Sequence, residues 1–242
     1  MGRAIQQSFE RYEKKYFLTP AQYKQFKRKL SAYVTADAYP TYTLCNIYYD
    51  TDDFKLIRAS VEKPEYKEKL RVRSYGVPKE DGKVFVELKK KLGGVVYKRR
   101  ITSDVFLAET LLKGVMPSEN VTQITKEIAY FQQFYRTAPK VFIAYDREAY
   151  QGIEDSELRI TFDTNLRYRL DNLKLQAGDY GEPIIDSDAV LMEIKIPGVC
   201  PLWLSRLLSE FKIYPTSFSK YGACYERHIL NGNRHIFLKE AC

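Results

Sequence analysis

The sequence predicts an α+β protein: an antiparallel β-barrel forming a tunnel, with helices packed outside it. Three observations carry that prediction. Strand-like runs dominate the chain; most alternate with period two, gathering cations on one face; and helical stretches fall between and after the strands rather than in a block of their own. No Ser/Pro/Gly-rich linker, internal repeat or low-complexity segment divides the 242 residues. One domain over 1–242 is expected, with about the first eight residues as a flexible arm.

The elements follow in order. FERYEKKYFL (9–18) reads as a strand. Thr19-Pro20 then opens a helix over about 20–32, an N-cap with proline at the first helical position, and Tyr23, Phe26, Leu30 and Tyr33 recur at helical spacing. TYTLCNIYYD (41–50) is strand-like and TDDFKLIRASV (51–61) a short segment after it. YKEKLRVRSYG (66–76) is a strand closed by glycine, and KVFVELKKK (83–91) and VVYKRRI (95–101) flank Leu92-Gly93-Gly94 as a hairpin. Helices are expected over about 103–113 and 120–136, strands over 140–152, 157–169 and 190–198, and helices over 201–211 and about 217–230.

Composition narrows the partners. Thirty-nine Lys and Arg against 31 acids leave a formal charge of +8, which implies an anionic partner: nucleic acid, membrane headgroups or a phosphorylated small molecule. Twenty Tyr and 13 Phe suit half-buried strands. The four cysteines (Cys45, Cys200, Cys224, Cys242) have no metal-ligand spacing and read as reduced thiols. The N-terminus has no apolar signal-peptide core, and Gln6 speaks against a myristoylation site. No apolar run is long enough to span a membrane, so a cytoplasmic protein is expected.

Strand parity sorts the charges. Residues i and i+2 share a face, so Lys67, Lys69, Arg71 and Arg73 stand opposite Leu70 and Val72. Glu87 and Lys89 share a face with Phe85, opposite Val84, Val86 and Leu88; Lys98 pairs with Arg100. Arg159, Thr161 and Asp163 oppose Ile160 and Phe162, Glu193 and Lys195 oppose Met192 and Ile194, and Arg11, Glu13 and Lys15 alternate with Tyr12 and Tyr16. A sheet with one solvated face gives the same alternation. Against that reading, the polar face is repeatedly Arg and Lys. Two unit charges ~4 Å apart interact by ~4 kcal/mol at an effective dielectric of 20, so such strands closed into a barrel call for a polyanion between them. The few acids on that face would hold a divalent cation bridging phosphate oxygens. The basic set is expected in one enclosed cavity, with Val72, Leu88, Ile160 and Ile194 turned outward under helices.

Glu13-Lys14-Lys15-Tyr16, Tyr48-Tyr49-Asp50-Thr51-Asp52, Leu70-Arg71-Val72-Arg73-Ser74-Tyr75-Gly76, Val86-Glu87-Leu88-Lys89 and Phe218-Ser219-Lys220-Tyr221 stand in an ordered set. That set resembles the CYTH, or triphosphate tunnel metalloenzyme, superfamily. Tyr145-Asp146-Arg147-Glu148-Ala149-Tyr150, Leu158-Arg159-Ile160-Thr161-Phe162-Asp163 and Leu191-Met192-Glu193-Ile194-Lys195 narrow it to the VTC domain, a polyphosphate polymerase module, from about residue 9 to 230. The resemblance implies that Lys15, Arg71, Arg73, Lys89, Arg147, Arg159 and Lys220 hold phosphates, with Ser219 beside the last. It implies that Glu193 binds Mn²⁺ or Mg²⁺ with Lys195 next to it, and that the γ-phosphoryl group of ATP passes to inorganic polyphosphate. Parity adds Arg11, Lys69, Lys98 and Arg100 as substrate-binding candidates and Glu13 as a second metal candidate. Hydrolytic relatives open with E-x-E-x-K, where this chain has Arg11-Tyr12-Glu13-Lys14-Lys15; the exchange of a carboxylate for a cation favours a polymerase over a triphosphatase.

A non-catalytic polyphosphate or nucleotide receptor and a nucleic-acid-binding barrel are the remaining readings. Lys89-Lys90-Lys91 and Lys98-Arg99-Arg100 resemble a nucleic-acid patch, but strand geometry divides each run between two faces, and no nucleic-acid partner is expected. His228 and His235 read as helix-surface or terminal residues, and Trp203, Leu204, Leu207 and Leu208 as a helix face packed on the sheet. No SPX-like segment is evident, so membrane association would come from a partner chain. A monomer is the default expectation.

Overall fold

The structure is a computed structural model describing residues 11–62, 64–93, 95–116, 121–186 and 188–230, the side chain of Arg11 excepted. The expected N-terminal arm, Gly94, His235 and Cys242 lie outside the described residues. Contacts gather the described residues into two compact units, each assembled from separate stretches: those up to Tyr42, 146–165 and 186–218 in the first, 43–145, 166–185 and those from Ser219 on in the second.

The first unit contains β1 (Arg11–Leu18), α1 (Pro20–Leu30), β9 (Val190–Pro197), α5 (Leu202–Glu210) and β10 (Pro215–Thr216). The second contains α2 (Lys55–Val61), β3 (Tyr66–Tyr75), β4 (Lys83–Leu92), β5 (Val95–Asp104), α3 (Val105–Leu112), α4 (Gln123–Tyr135), β8 (Glu182–Pro183) and α6 (Lys220–Cys224). The strands β2 (Val34–Asp50), β6 (Ala138–Gly152) and β7 (Arg159–Arg169) each contribute residues to both. Hydrogen bonding orders the sheet β10-β1-β9-β7-β6-β2-β3-β4-β5, with β8 on β7. The expected antiparallel sheet with helices is present. Its recorded pairing is an open path, so ring closure into a barrel is not among the pairings of the described residues.

Each unit has its own core, and in both it is the apolar face that parity predicts. In the first, Tyr16, Ile160, Phe162, Met192 and Ile194 pack with Phe26 and Leu30 of α1 and Leu204, Leu207 and Leu208 of α5. Trp203 stacks on Tyr33 with ring centroids 4.3 Å apart. In the second, Leu70, Val72, Val84, Val86 and Leu88 pack with Ala108 and Leu111 of α3 and Ile128, Ala129 and Phe131 of α4. Burial of such side chains stabilises each unit by about 1.5–3 kcal/mol per residue, before the entropy of ordering them. With one face of each strand committed to a core, a one-residue slip in register would bury the cations, so register is firmly set.

Local chemistry fixes the ends. Thr19 accepts from Gln22 N at 3.2 Å while Gln22 Oε1 accepts from Thr19 N at 3.0 Å, a reciprocal cap that starts α1 where Thr-Pro predicts. The segment 51–61 turns out to hold a helix capped from the end of β2 rather than by the residue before it, Thr51 Oγ1 accepting from Lys55 N at 2.8 Å. The Asp50 carboxylate, at the end of β2, accepts from Leu56 N and Ile57 N at 2.9 Å, and Tyr221 Oη donates to it at 3.0 Å. The expected helix over 217–230 starts later, at Lys220, because Ser219 is its cap, accepting from Gly222 N at 3.2 Å, and it continues from Tyr225 to Ile229 as a π-helical turn.

Candidate functional site

The polar face of β2-β3-β4-β5 is a grid whose rows run across the strands. Lys69, Lys89 and Lys98 stand directly opposite one another on β3, β4 and β5. The next row holds Tyr48, Arg71, Glu87 and Arg100, and the row beyond it Asn46, Arg73, Phe85 and Thr102. Like charges directly opposite on neighbouring strands destabilise a sheet, so a row of three lysines opposes folding unless something anionic meets it.

Glu87 is the carboxylate in this grid, and it is 2% exposed. Arg71 Nε donates to Glu87 Oε2 at 2.8 Å, and Lys98 Nζ lies 2.8 Å from Oε1. Arg100 Nε approaches Oε1 at 3.6 Å and Arg73 Nε approaches Oε2 at 3.9 Å. Burial pushes the Glu87 carboxyl up, but Arg71, Arg73 and Lys98 outweigh it and hold it at about 2. Burial also brings Lys98 below its ordinary value, against the pull of Glu87. The arginines are braced from the other side. Tyr48 Oη accepts from Arg71 Nη1 at 3.1 Å, and Asn46 Oδ1 accepts from Arg73 Nε at 3.0 Å. Burial would raise the Tyr48 phenol, yet Arg71 and Arg73 bring it below its usual range. Arg100 lies 3.6 Å over the Phe85 ring, and Lys220 Nζ 4.3 Å over that of Tyr145. Lys69 Nζ donates to Ser219 Oγ at 3.1 Å.

In the first unit the polar face alternates sign between β1 and β9 instead. Lys15 stands opposite Glu193, which stands opposite Thr161; Glu13 stands opposite Lys195, which stands opposite Arg159. Lys15 Nζ lies 3.6 Å from Glu13 Oε1 and 3.8 Å from Glu193 Oε1, and donates to the Phe218 carbonyl at 2.9 Å. Arg147 forks onto Asp163, with Nε to Oδ1 at 2.6 Å and Nη2 to Oδ2 at 2.7 Å, and Nη2 also donates to Glu193 Oε2 at 3.1 Å. Asp163 is fully buried, so this bidentate pair fixes the guanidinium plane. Arg159 is ion-paired with Asp37.

The model of the VTC domain family matches residues 10–229. The chain belongs to the VTC-domain family. It is 24% identical over 221 residues to vacuolar transporter chaperone complex subunit 4 of Schizosaccharomyces pombe, matching 74% of this chain and 30% of that protein's length. Among solved structures, a proposed adenylyl cyclase from Hippeastrum, described as revealing a dominant triphosphatase activity, superposes with a TM-score of 0.53 at 17% identity. The match covers 90% of this chain and 95% of the other. A proposed adenylate cyclase of Bacillus halodurans gives 0.51 at 15% identity, over 86% and 92%. These structures share the fold with this VTC domain.

Within the VTC domain, Arg71, Arg73, Lys98 and Arg100 come together around Glu87. Lys69 meets Ser219, Lys89 lies in the lysine row, and Lys220 covers Tyr145. Lys15, Glu13, Glu193 and Arg147 form the other cluster, in which Lys195 is exposed between Glu13 and Arg159 in register. Arg11 stands opposite Pro197, its side chain outside the described set. The split lysine runs divide as expected: Lys90 Nζ turns to Glu68 at 3.2 Å and Arg99 Nε to Glu127 of α4 at 3.1 Å. His228 stacks on Tyr168 with centroids 4.4 Å apart. No helix among the described residues is long and apolar enough to cross a membrane.

The resemblance read from the sequence implies a divalent metal. Among the described residues no three His, Cys, Asp or Glu side chains converge as a metal cage. Glu13 and Glu193 flank the Lys15 ammonium, however, and offer hard carboxylate oxygens around a position that already holds positive charge. That donor set fits Mg²⁺ or Mn²⁺ of the kind held by one or two carboxylates, with substrate phosphates and water supplying the rest. Glu87, enclosed by cations, does not. Asp163, Asp37, Tyr48, Asn46 and Tyr145 were not among the residues selected from sequence. Asp163 carried a signal, since it shares the Arg159 face; β2 hid Asn46 and Tyr48 because the run Asn46-Ile47-Tyr48-Tyr49 has no clean polar alternation.

Proposed function

We propose that this VTC domain is a metal-dependent polyphosphate polymerase that moves the γ-phosphoryl group of ATP onto a growing inorganic polyphosphate chain. The observation that supports it most is the lysine row: Lys69, Lys89 and Lys98 face one another across three strands, an arrangement that a chain of phosphates relieves. Lys69, Arg71, Arg73, Lys89, Lys98, Arg100, Ser219 and Lys220 hold phosphate oxygens, the arginines by their forks and the lysines as movable point charges. A terminal oxygen of the chain attacks the γ-phosphorus. The new P–O bond forms as the bond to the β,γ-bridging oxygen breaks, and ADP leaves with that electron pair. Such a transition state spreads charge over the transferred group and needs positioning more than covalent help. Arg147, held flat by Asp163, and Arg159, Lys15 and Lys195 meet that charge. Glu193, with Glu13, would hold Mn²⁺ or Mg²⁺, which when bound neutralises phosphate oxygens.

Closure of the sheet into a tunnel, a single functional domain, a monomer, a cytoplasmic setting and recruitment by a membrane partner chain rather than by nucleic acid belong to the same proposal. Incubation with γ-labelled ATP and Mn²⁺ tests it: label is expected in long chains. Label in orthophosphate supports a triphosphatase, and label remaining in ATP a receptor. The triphosphatase is the second reading, because Glu13-x-Lys15 keeps the end of the E-x-E-x-K pattern. Arg11→Glu restores that pattern. It is expected to lose chain synthesis and gain orthophosphate release from tripolyphosphate; an unchanged product would remove Arg11 from the distinction.

A further inference from the structure

We propose that Glu87 is a placeholder anion: it occupies the phosphate-binding cations in the free protein, gathers them, and by competing with the ligand sets how readily phosphate is released. The proposal rests on the phosphate-binding reading above and deepens it. Four cations lie within 4 Å of a carboxylate that is itself 2% exposed: Arg71, Arg73, Lys98 and Arg100. The side chains of Arg71, Lys98 and Arg100 remain 24%, 48% and 35% exposed, so they contact Glu87 from within and keep an outward side for a ligand. Arg100 Nε is buried and makes no hydrogen bond, a donor that Glu87 approaches but does not satisfy.

A carboxylate and a phosphate draw on the same donors, and a cation shared between two anions binds each less tightly than it would bind one alone. Four cations without Glu87 would repel one another and splay. With it they are arranged before the ligand arrives, at the cost of some affinity. In a polymerase that trade is useful, since a chain held by every cation at full strength would leave slowly.

Tripolyphosphate binding by calorimetry, together with steady-state kinetics, tests this on the full chain. Glu87→Gln keeps the shape and removes the charge. It is expected to bind tripolyphosphate about tenfold tighter, about 1.4 kcal/mol, with a steeper salt dependence, and to lower kcat and KM together as release slows. Glu68→Gln is the control. Glu68 is a buried carboxylate on the opposite face of β3, held by Lys90 and Tyr135, and its loss should reduce stability without changing affinity. Should Glu87→Gln fail to fold, Lys98→Gln and the double variant Glu87→Gln/Lys98→Gln carry the comparison, the double being expected to bind tighter than the single. A folded Glu87→Gln that binds no tighter than the wild type, or a double that binds no tighter than Lys98→Gln, overturns the placeholder. A wild type that binds no tripolyphosphate overturns the phosphate-binding reading and the placeholder with it.

Discussion

The two polar faces use the same strand parity and opposite charge arrangements. On β1 and β9 acid meets cation across the ladder, Lys15 with Glu193 and Glu13 with Lys195, while Arg159 on β7 is paired with Asp37 and Arg147 is held by two acids. On β3-β4-β5 three lysines meet one another, and four cations share Glu87. The first face is balanced without a ligand. The second carries a surplus that costs the fold stability. A face that neutralises itself suits a catalytic metal, whose charge its acids can accept, while a face that does not is suited to a polyanion.

The strongest way to break this contrast is Glu193→Gln. If the balanced face carries the metal, turnover should fall at least about 100-fold while tripolyphosphate still binds, since a carboxylate is lost and no phosphate donor goes with it. Rates across a range of Mn²⁺, set beside calorimetric affinity, check this. Near-normal activity would move the metal to Glu13 alone. Acid titration tests the surplus face. A carboxyl held at about 2 in the fold, against 4.5 ordinarily, contributes stability that is complete above 4.5 and is lost as pH falls toward 2. The contribution is about 3 kcal/mol. Urea midpoints measured from pH 6 to pH 2 should show that loss, and Glu87→Gln should flatten it.

Lys89→Ala sharpens the contrast further, because it separates folding from function. Removing the middle of the row should weaken long-chain polyphosphate binding about tenfold. The same change should leave stability unchanged or raise it by ~0.5 kcal/mol, since two like-charge contacts disappear. Lower stability with unchanged affinity would show that the row is structural. Ser219→Ala should have the smallest effect. It removes the α6 cap, costing ~1 kcal/mol, and the hydroxyl that accepts from Lys69, with a two- to threefold change in affinity on the order expected for one lost hydrogen bond.

Much of this was legible in the sequence because the signals were local. Thr19-Pro20 fixes α1, Leu92-Gly93 marks the hairpin, and alternation in 66–75 and 83–92 assigns Arg71, Arg73 and Lys89 to a face and Val72 and Leu88 to a core. What stayed hidden depends on distant partners. The helix α2 follows Phe54, which holds the cap position in a left-handed conformation at φ 57° and makes no side-chain cap; Asp50 and Thr51, at and just after the end of β2, accept from its first amides instead. The strand β2 begins at Val34, seven residues before the alternation that marks it, in a stretch containing Pro40. Parity placed Glu87 and Asp163 on the polar face but could not reveal that one is enclosed by four cations and the other clasped by Arg147. That depends on which strands lie side by side.

The lysine row also has a kinetic consequence. A face whose cations outnumber its carboxylates projects a net field into solvent, whereas the interleaved pairs of β1 and β9 cancel within a few ångströms. On the proposed function, a phosphate chain diffusing past would be drawn toward β3-β4-β5 before any contact forms. Association should be fast in dilute buffer and slow steeply as salt shortens the ~10 Å reach of that field at 0.1 M. The three lysines would thus govern how often the protein captures a chain, apart from how long it keeps one.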